Sequence, residues 1–523
     1  MREFNSTGLC VPRKHYMVDI SERVAQIRAM VERGDYFCIN RARQYGKTTT
    51  LSALRRALAG DYTVASLDFQ ALSHADFASE GAFVGALSQT LLDRLGPDLP
   101  DTAAQALESL AGRDPDERSL RIFFRTLRLW LGEAGKPVVL IIDEVDSATN
   151  NQVFLDFLAQ LRLQYLERED DPTCPAFQSV VLAGVTDVKH LKARIRPGEA
   201  SKINSPWNIA TDFRVDMSFS AEDVAGMLAD YETDHATGMD VTSVADELVD
   251  WTGGYPFLVS RLCQLADECG LSWDREGVDA AVRLLLSERN TLFESLMGKL
   301  DVYPELKAAL RRILMEGERL PYSPDQDDIA QLEMYGFVVR GSGNDVRIAN
   351  RIFETRLYDL FIVEDKLAGS TVYAAGDRER SLFVDDGCLN MCAVLEGFRR
   401  TYVEVFGPIE EGRRFGEFDG RRQFLLYLKP IINGTGNYYV EAQTRDQTRT
   451  DVIVDYLGKR FVVELKVWRG PRYNEAGERQ VAAYLDHFGL DVGYMLSFNF
   501  NKRKKPGLKR VSVGDKVLWE ETI

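Results

Sequence analysis

The sequence predicts an α/β chain with more than one folded unit, and three stretches carry that prediction. Residues 35–58 read as strand, loop and helix: an apolar run over Tyr36-Phe37-Cys38-Ile39, a polar loop, then Leu51, Leu54 and Leu58 at helical spacing. Residues 137–142 form a continuous apolar run, which suits a strand buried on both faces of a parallel sheet, and Asp143-Glu144 close it. Residues 450–467 hold two apolar runs, Val452-Ile453-Val454 and Phe461-Val462-Val463, on either side of Gly458, as a pair of antiparallel strands joined by a tight turn does.

The chain has 523 residues, more than one hydrophobic core usually serves, so two to four domains are expected. Apolar residues make up 45% and charged residues 28%, and no apolar run approaches the roughly 20 residues that a membrane span needs. No apolar segment follows Met1-Arg2-Glu3-Phe4-Asn5, so a cytoplasmic protein without a secretory signal is expected. The 7 cysteines form no disulfide framework, and Cys388 with Cys392 lacks the partners of a zinc site. A net charge of -16 argues against a protein that coats DNA generally, so nucleic-acid contact must come from local patches.

The first stretch carries chemistry. In Arg41-Ala42-Arg43-Gln44-Tyr45-Gly46-Lys47-Thr48 the ending is that of a phosphate-binding loop, although Arg41 stands where such a loop usually has its first glycine. Backbone N–H groups at a helix N-terminus cradle phosphates, a lysine reaches the terminal phosphate oxygens, and a hydroxyl holds Mg²⁺. Lys47 and Thr48 supply the last two groups. A Gly-Lys-Thr triplet alone is weak. Asp143 and Glu144, at the end of a buried strand one small domain downstream, are the required partners: Asp143 to hold Mg²⁺ and Glu144 to orient the attacking water. A third strand over residues 179–187 ends in polar residues.

These motifs resemble the bacterial AAA-ATPase-like proteins, relatives of the archaeal and STAND-type ATPases, in which an arginine-rich stretch ending in an aromatic residue and Gly-Lys-Ser/Thr replaces the glycine-rich loop. Ser205-Pro206-Trp207-Asn208-Ile209-Ala210 and Thr252-Gly253-Gly254-Tyr255-Pro256 are further matches, and the resemblance spans about residues 10–365. It implies a P-loop NTPase domain with a helical lid and a winged helix, with ATP held by Arg43, Gly46, Lys47, Thr48, Thr49, Asp143 and Pro256. By the same resemblance the strand over residues 179–187 takes the place of a sensor strand, with Thr186 or Asp187 expected to sense the terminal phosphate. Arg194 and Arg196 read as solvated surface before arginine fingers. The expected boundaries are 1–220 for the ATPase core, 221–290 for the lid, 291–365 for the winged helix and 366–380 for a linker, with 381–523 following.

Beyond the linker, residues 389–405 read as an amphipathic helix, and residues 424–428 and 438–443 as strands. With Gly458-Lys459 as a type II′ turn, Asp451 falls opposite Lys466 and Ile453 opposite Glu464. Alternation then brings Asp451, Glu464 and Lys466 to one side, an arrangement of two carboxylates and an ammonium suited to a metal and an attacking water. The apolar neighbours Val452, Val454, Val463 and Leu465 mark the hairpin as central, where charge is costly unless it works.

This portion, about residues 380–500, resembles the PD-(D/E)XK nucleases, a restriction-endonuclease-like α/β fold. The resemblance implies that Asp451 and Glu464 hold Mg²⁺ or Mn²⁺ and that Lys466 steadies the hydroxide or the phosphate. It gives Glu396 the place of the acid on the first helix, Glu441 an outer role, and Gln480 and Tyr484 the Gln-x-x-x-Tyr of the RecB-like branch. The basic run Asn501-Lys502-Arg503-Lys504-Lys505, with Lys509 and Arg510, is placed to grip phosphates. The expected whole is an ATP-binding and hydrolysing switch that controls a metal-dependent nuclease, with defence against foreign DNA as its setting by analogy. DNA is the expected partner ahead of RNA, self-association is the third partner class, and no membrane partner is expected. The rival reading is a signalling scaffold whose nuclease-like domain binds without cutting.

Overall fold

The structure, a computed structural model, describes residues 2–186, 188, 206–323, 325–367, 369–385, 387–407, 417–433, 435–443, 449–468, 471–499 and 505–523. Asp187, Arg194, Arg196, Ser205 and residues 501–504 lie outside these. The described chain divides into two units. The first comprises Met1–Val249, Gly254–Ala281 and Gln331–Gly336, and the second comprises Asp250–Gly253, Val282–Ala330 and Phe337–Ile523.

In the first unit, strands β1 (Tyr36–Asn40), β2 (Thr63–Asp68), β3 (Val138–Asp143) and β4 (Ser179–Gly184) form a parallel sheet in the order β1-β4-β3-β2. A parallel bridge from Phe37 to Thr211 continues it past β1. Both faces are buried, which is why β3 reads as an unbroken apolar run. Val138, Leu140 and Ile142 join one core with the helices Glu80–Leu95, Leu120–Glu133 and Gln152–Asp170. Val139 and Ile141 join the other with Ser21–Glu32 and Lys47–Leu58. Nucleotides bind at the C-terminal strand ends of such sheets, where Asn40, Asp143 and Gly184 stand.

The second unit begins with helical elements, including Thr291–Val302, Pro304–Met315 and Arg351–Leu367, and the short hairpin of β5 (Val338–Arg340) and β6 (Val346–Ile348). Strands β7 (Val384–Asp385) and β8 (Cys388–Leu389) pair next. A six-stranded mixed sheet follows, built from β9 (Gly436–Gln443), β10 (Arg449–Tyr456), β11 (Lys459–Val467), β12 (Val492–Phe498), β13 (Gly507–Val513) and β14 (Lys516–Thr522), in the order β13-β14-β12-β11-β10-β9. The helix Pro471–Phe488 makes the crossover between the parallel neighbours β11 and β12.

Three local expectations are corrected. Residues 424–428 are not a strand but lie in the helix Glu417–Ile432. All five side chains are buried there, and Phe424 packs its ring 5.4 Å from Phe398. A short apolar run has no period that separates a buried strand from a buried helix. Within the expected linker, Ser370 caps a helix at Thr371–Glu379, and a Cβ on Gly376 would meet the Tyr427 carbonyl oxygen at 2.2 Å.

The β10–β11 turn centres on Leu457-Gly458, both with positive φ (49° and 78°), which is the type I′ pattern rather than II′. The pairs are therefore Val452 with Val463, Ile453 with Val462, and Asp455 with Arg460. This register matches apolar with apolar and acid with base. The shift is by two residues, so the face assignment is unchanged.

Candidate active sites

The nucleotide loop is built by β1 running into the helix Lys47–Leu58, with Gln44 (φ 57°) and Gly46 (φ 77°) in the left-handed region that bends the chain back. Lys47 is 6% exposed, and its ammonium donates to the carbonyls of Arg41 at 2.9 Å and Ala42 at 3.0 Å. An ammonium has three donors, so two fix the side chain and the third remains for a ligand oxygen. Burial lowers the Lys47 pKa, and the nearby carboxylates, Glu144 first, oppose that. The Thr48 hydroxyl donates to Asp143 Oδ2 at 2.9 Å, bridging the loop and the end of β3. A hydroxyl and a carboxylate converging in this way are the hard oxygen donors that suit Mg²⁺.

Burial raises the pKa of Asp143 above the ordinary aspartate value, and that of Glu144 likewise. Glu144 takes a left-handed backbone (φ 54°), a costly conformation for this residue type and one concentrated at functional sites. Thr49 and Gly46 are also part of this turn: Thr49 Oγ1 accepts from the Cys10 N–H at 3.2 Å, and the Gly46 carbonyl accepts from Thr50. Arg43 is exposed, with its carbonyl accepting from the Tyr255 hydroxyl. Pro256 is buried at the first turn of the helix Pro256–Glu268, so it is Tyr255, one residue earlier, that makes this bond to the loop.

Arg41 replaces glycine without loss of the fold because its side chain leaves the loop. The guanidinium donates to the carbonyls of Asn40 at 3.0 Å and Val215 at 2.9 Å, and it lies 5.2 Å from the centre of the Phe213 ring. Asp146 stands in the turn that follows β3. Its carboxylate accepts from the N–H groups of Val185 and Thr186, each at 2.7 Å, and so ties the end of β4 to the Asp143–Glu144 turn. Backbone partners of this kind leave no mark in a sequence.

In the mixed sheet, Glu464 is fully buried and its Oε1 lies 2.8 Å from the Lys466 ammonium. Registers between neighbouring strands align Glu464, Met495 and Glu520 in one row, and Lys466 with Ser497 in the next. Side chains two apart share a face, so Glu464, Lys466, Ser497 and Glu520 all emerge on the same side. Glu520 is also fully buried, accepting from Ser497 Oγ at 2.6 Å and pairing with Lys509 at 2.7 Å. The sequence reading missed Glu520; two adjacent acids near the end of a strand look like solvated surface.

Asp451 belongs to β10, one residue before the Val452–Val463 pair, and Glu464 is one residue after it on β11, so the two backbones are next to each other in the ladder. The side chains of Asp451 and Glu441 lie outside the description. The helix Pro471–Phe488 covers the Glu464 face: a Cβ on Gly477 would meet Lys466 Cε at 3.5 Å, and Tyr484 packs with Val462 and Leu518. Gln480 Nε2 donates to the Tyr484 hydroxyl at 2.6 Å, as the i, i+4 spacing predicts.

Glu396 departs from its expected place. It lies beside Glu521, whose pKa is raised by burial and further by Glu396, while Arg399 pairs with Glu521 at 2.6 Å and opposes the rise. Glu521 follows Glu520 on β14 and therefore faces the opposite side of the sheet from Glu464. The structure thus brings together Glu464, Lys466 and the Gln480–Tyr484 helix, but leaves Glu396 on the other face. An oxygen-only carboxylate such as Glu464, with an ammonium at its side, fits a hard divalent cation. Among the described residues no helix is long and apolar enough to cross a membrane.

Residues 13–361 match the family described as AAA-like domain, and residues 437–511 match the PD-(D/E)XK nuclease superfamily. An uncharacterized WD repeat-containing protein of Synechocystis is 27% identical over 255 residues, which is 47% of this chain and 19% of that protein. This chain thus spans about a fifth of that relative's length. Among solved structures, a Walker-type ATPase of Pyrococcus abyssi is similar at 16% identity and a TM-score of 0.47, over 68% of this chain and 99% of that one. The ORC2 protein of Aeropyrum pernix is similar at 14% identity and a TM-score of 0.35, over 70% of this chain and 98% of that one. The chain belongs to the AAA-like domain family and carries, in its C-terminal mixed sheet, a domain of the PD-(D/E)XK nuclease superfamily.

Proposed function

We propose that this chain is a nucleotide-controlled, metal-dependent nuclease that cleaves DNA phosphodiester bonds. The observation that carries the reading is the fully buried Glu464 with Lys466 at 2.8 Å, on a strand whose neighbouring residues Val462, Val463 and Leu465 are buried and apolar. A buried carboxylate–ammonium pair is replaced by apolar residues at little cost to stability, so its presence at the signature positions favours chemistry over packing.

In this reading Asp451 and Glu464 hold Mg²⁺ or Mn²⁺, which supplies an activated water and offsets charge on the phosphate. Lys466 adds positive charge on the same face, while Gln480 and Tyr484 orient the bound strand from the covering helix. Lys509 and the basic run before it hold backbone phosphates. In the AAA-like domain Lys47 binds the nucleotide phosphates, Thr48 and Asp143 hold Mg²⁺, and Glu144 orients the attacking water, with Arg43, Gly46 and Thr49 shaping the loop. Residues 1–220 act as the ATPase core, 221–290 as lid and 291–365 as a winged helix, and residues 381–523 do the cutting in a setting of defence against foreign DNA.

The test incubates the purified chain with supercoiled, linear and single-stranded DNA and with RNA, in Mg²⁺ or Mn²⁺, with and without ATP, beside Asp451→Ala. Cleavage of DNA that requires Asp451 and changes with ATP supports the reading. Nucleotide binding without cleavage of any substrate puts the scaffold reading in its place.

A further inference from the structure

The face of the mixed sheet that carries Glu464 and Lys466 also holds a second buried carboxylate, Glu520, for which metal binding at Asp451 and Glu464 has no task. Strand registers align Glu464 on β11, Met495 on β12, Glu520 on β14 and Lys509 on β13 in one row across four neighbouring strands. Directly paired residues point to the same face, so Lys509 stands on the Glu464 side, and three strand spacings put about 14 Å between their backbones. Glu520 is fully buried and holds two neighbours: Ser497 Oγ donates to its Oε1 at 2.6 Å, and the Lys509 ammonium lies 2.7 Å from its Oε2.

Neither packing nor edge protection accounts for this carboxylate. β13, the edge strand, is already tied to β14 by a continuous ladder from Gly507–Thr522 to Val513–Lys516. A lysine that only guards an edge against further pairing needs no buried partner. Burying a carboxylate carries a desolvation cost that its ion pair at best returns, so an apolar side chain would serve the sheet equally well. What Glu520 supplies is a fixed position for the ammonium. Lys509 is half-exposed, and Glu520 takes one of the three donors of its ammonium, leaving two for oxygens that arrive from the open side.

We propose that Glu520, with Ser497, is a positioning residue that holds Lys509 as a binding point for a non-scissile phosphate of the bound DNA. The inference rests on the nuclease reading for the identity of its ligand. With the scissile phosphate at Glu464 and Lys466, Lys509 stands along the same row at a distance from the reacting atoms. It fixes the path and register of the strand and takes no part in bond breaking, as phosphate contacts position a nucleic acid without reading its bases.

The experiment measures binding of labelled duplex and single-stranded DNA to the full chain by fluorescence anisotropy over a series of salt concentrations, without divalent metal so that the strand stays intact. In Lys509→Gln, binding falls about fivefold or more, and the slope of log affinity against log salt drops by about one, the loss of a single phosphate contact. Lys509→Arg restores both. Glu520→Gln separates positioning from plain charge: removing a negative charge beside the strand tightens binding if charge alone matters, whereas a misplaced Lys509 weakens it about threefold. Thermal unfolding checks each fold, and Lys509→Gln, on an exposed edge, decides the matter even where Glu520→Gln does not fold.

An unchanged salt slope in Lys509→Gln, or a folded Glu520→Gln that binds as tightly as the parent or more so, overturns the inference. A parent chain that binds no DNA overturns it together with the nuclease reading. The predicted binding changes in a chain that cuts nothing in Mg²⁺ or Mn²⁺ refute the nuclease reading alone. DNA cleavage whose KM is unmoved by Lys509→Gln refutes the phosphate contact alone.

Discussion

Replacing Arg41 by glycine would give this chain the more usual form of a phosphate-binding loop, and the structure predicts that it weakens nucleotide binding. The Arg41 side chain donates to two backbone carbonyls, Asn40 at 3.0 Å and Val215 at 2.9 Å, and lies over Phe213 at 5.2 Å. Hydrogen bonds from a charged donor contribute roughly 1.5 to 3 kcal/mol each, and a cation over an aromatic face about 1 kcal/mol. Burial opposes these gains, since it lowers the Arg41 pKa, so the net anchoring is on the order of 2 to 3 kcal/mol.

Glycine adds about 0.5 to 1 kcal/mol of backbone entropy to be lost. If about 2 kcal/mol of loop ordering must be supplied when nucleotide binds, affinity falls roughly 30-fold. Calorimetric titration with ADP and ATP measures it, with thermal unfolding as the check on the fold. Arg41→Gly that binds nucleotide as tightly as the parent would refute the anchoring argument.

Three further outcomes follow from the same geometry. Gly254→Ala places a methyl group 2.2 Å from the Phe219 carbonyl oxygen at φ 72°, so it should cost about 2 to 4 kcal/mol and lower the melting temperature by several degrees in a thermal scan. Asp143 and Glu144 have pKa values raised by burial, so they protonate before ordinary carboxylates do as pH falls. Mg²⁺-dependent nucleotide affinity should therefore decline on acidification from a point above the usual aspartate range, and Asp143→Asn should flatten that decline in a binding titration. The raised values also mean that these two groups favour folding most at low pH, a contribution lost as pH rises through their folded values. Acid weakening of binding is thus not unfolding driven by them. Asp146→Ala, which releases the N–H groups of Val185 and Thr186, should slow ATP turnover more than it weakens binding, as steady-state and binding measurements together will report.

What the sequence revealed depended on whether a residue's role is local. The loop at Gly46-Lys47-Thr48 and the apolar β3 with Asp143 were legible because a strand buried on both faces has no alternation to confuse and ends in charge. The shared face of Glu464 and Lys466 was legible despite a wrong turn, since an error of two residues preserves the period of a strand. Leu457 in a left-handed conformation hid the turn itself, because the reading assigned positive φ to glycine alone. Glu396 was misplaced because spacing along a helix does not say which side of a sheet the helix covers. Arg41, Asp146 and Tyr255 act on backbone carbonyls and N–H groups, and Glu520 is a buried acid in a position that composition assigns to surface. Those roles exist only once the strands are side by side.

The central claim, two chemistries in one chain with separate residues, is tested most directly by measuring ATP hydrolysis and DNA cleavage in parallel for Lys47→Ala and Glu464→Gln. The account predicts that Lys47→Ala loses ATP turnover and the ATP dependence of cutting but keeps a basal metal-dependent cleavage. It predicts that Glu464→Gln keeps turnover and cuts nothing. Cleavage that persists in Glu464→Gln, or turnover that persists in Lys47→Ala, would contradict it.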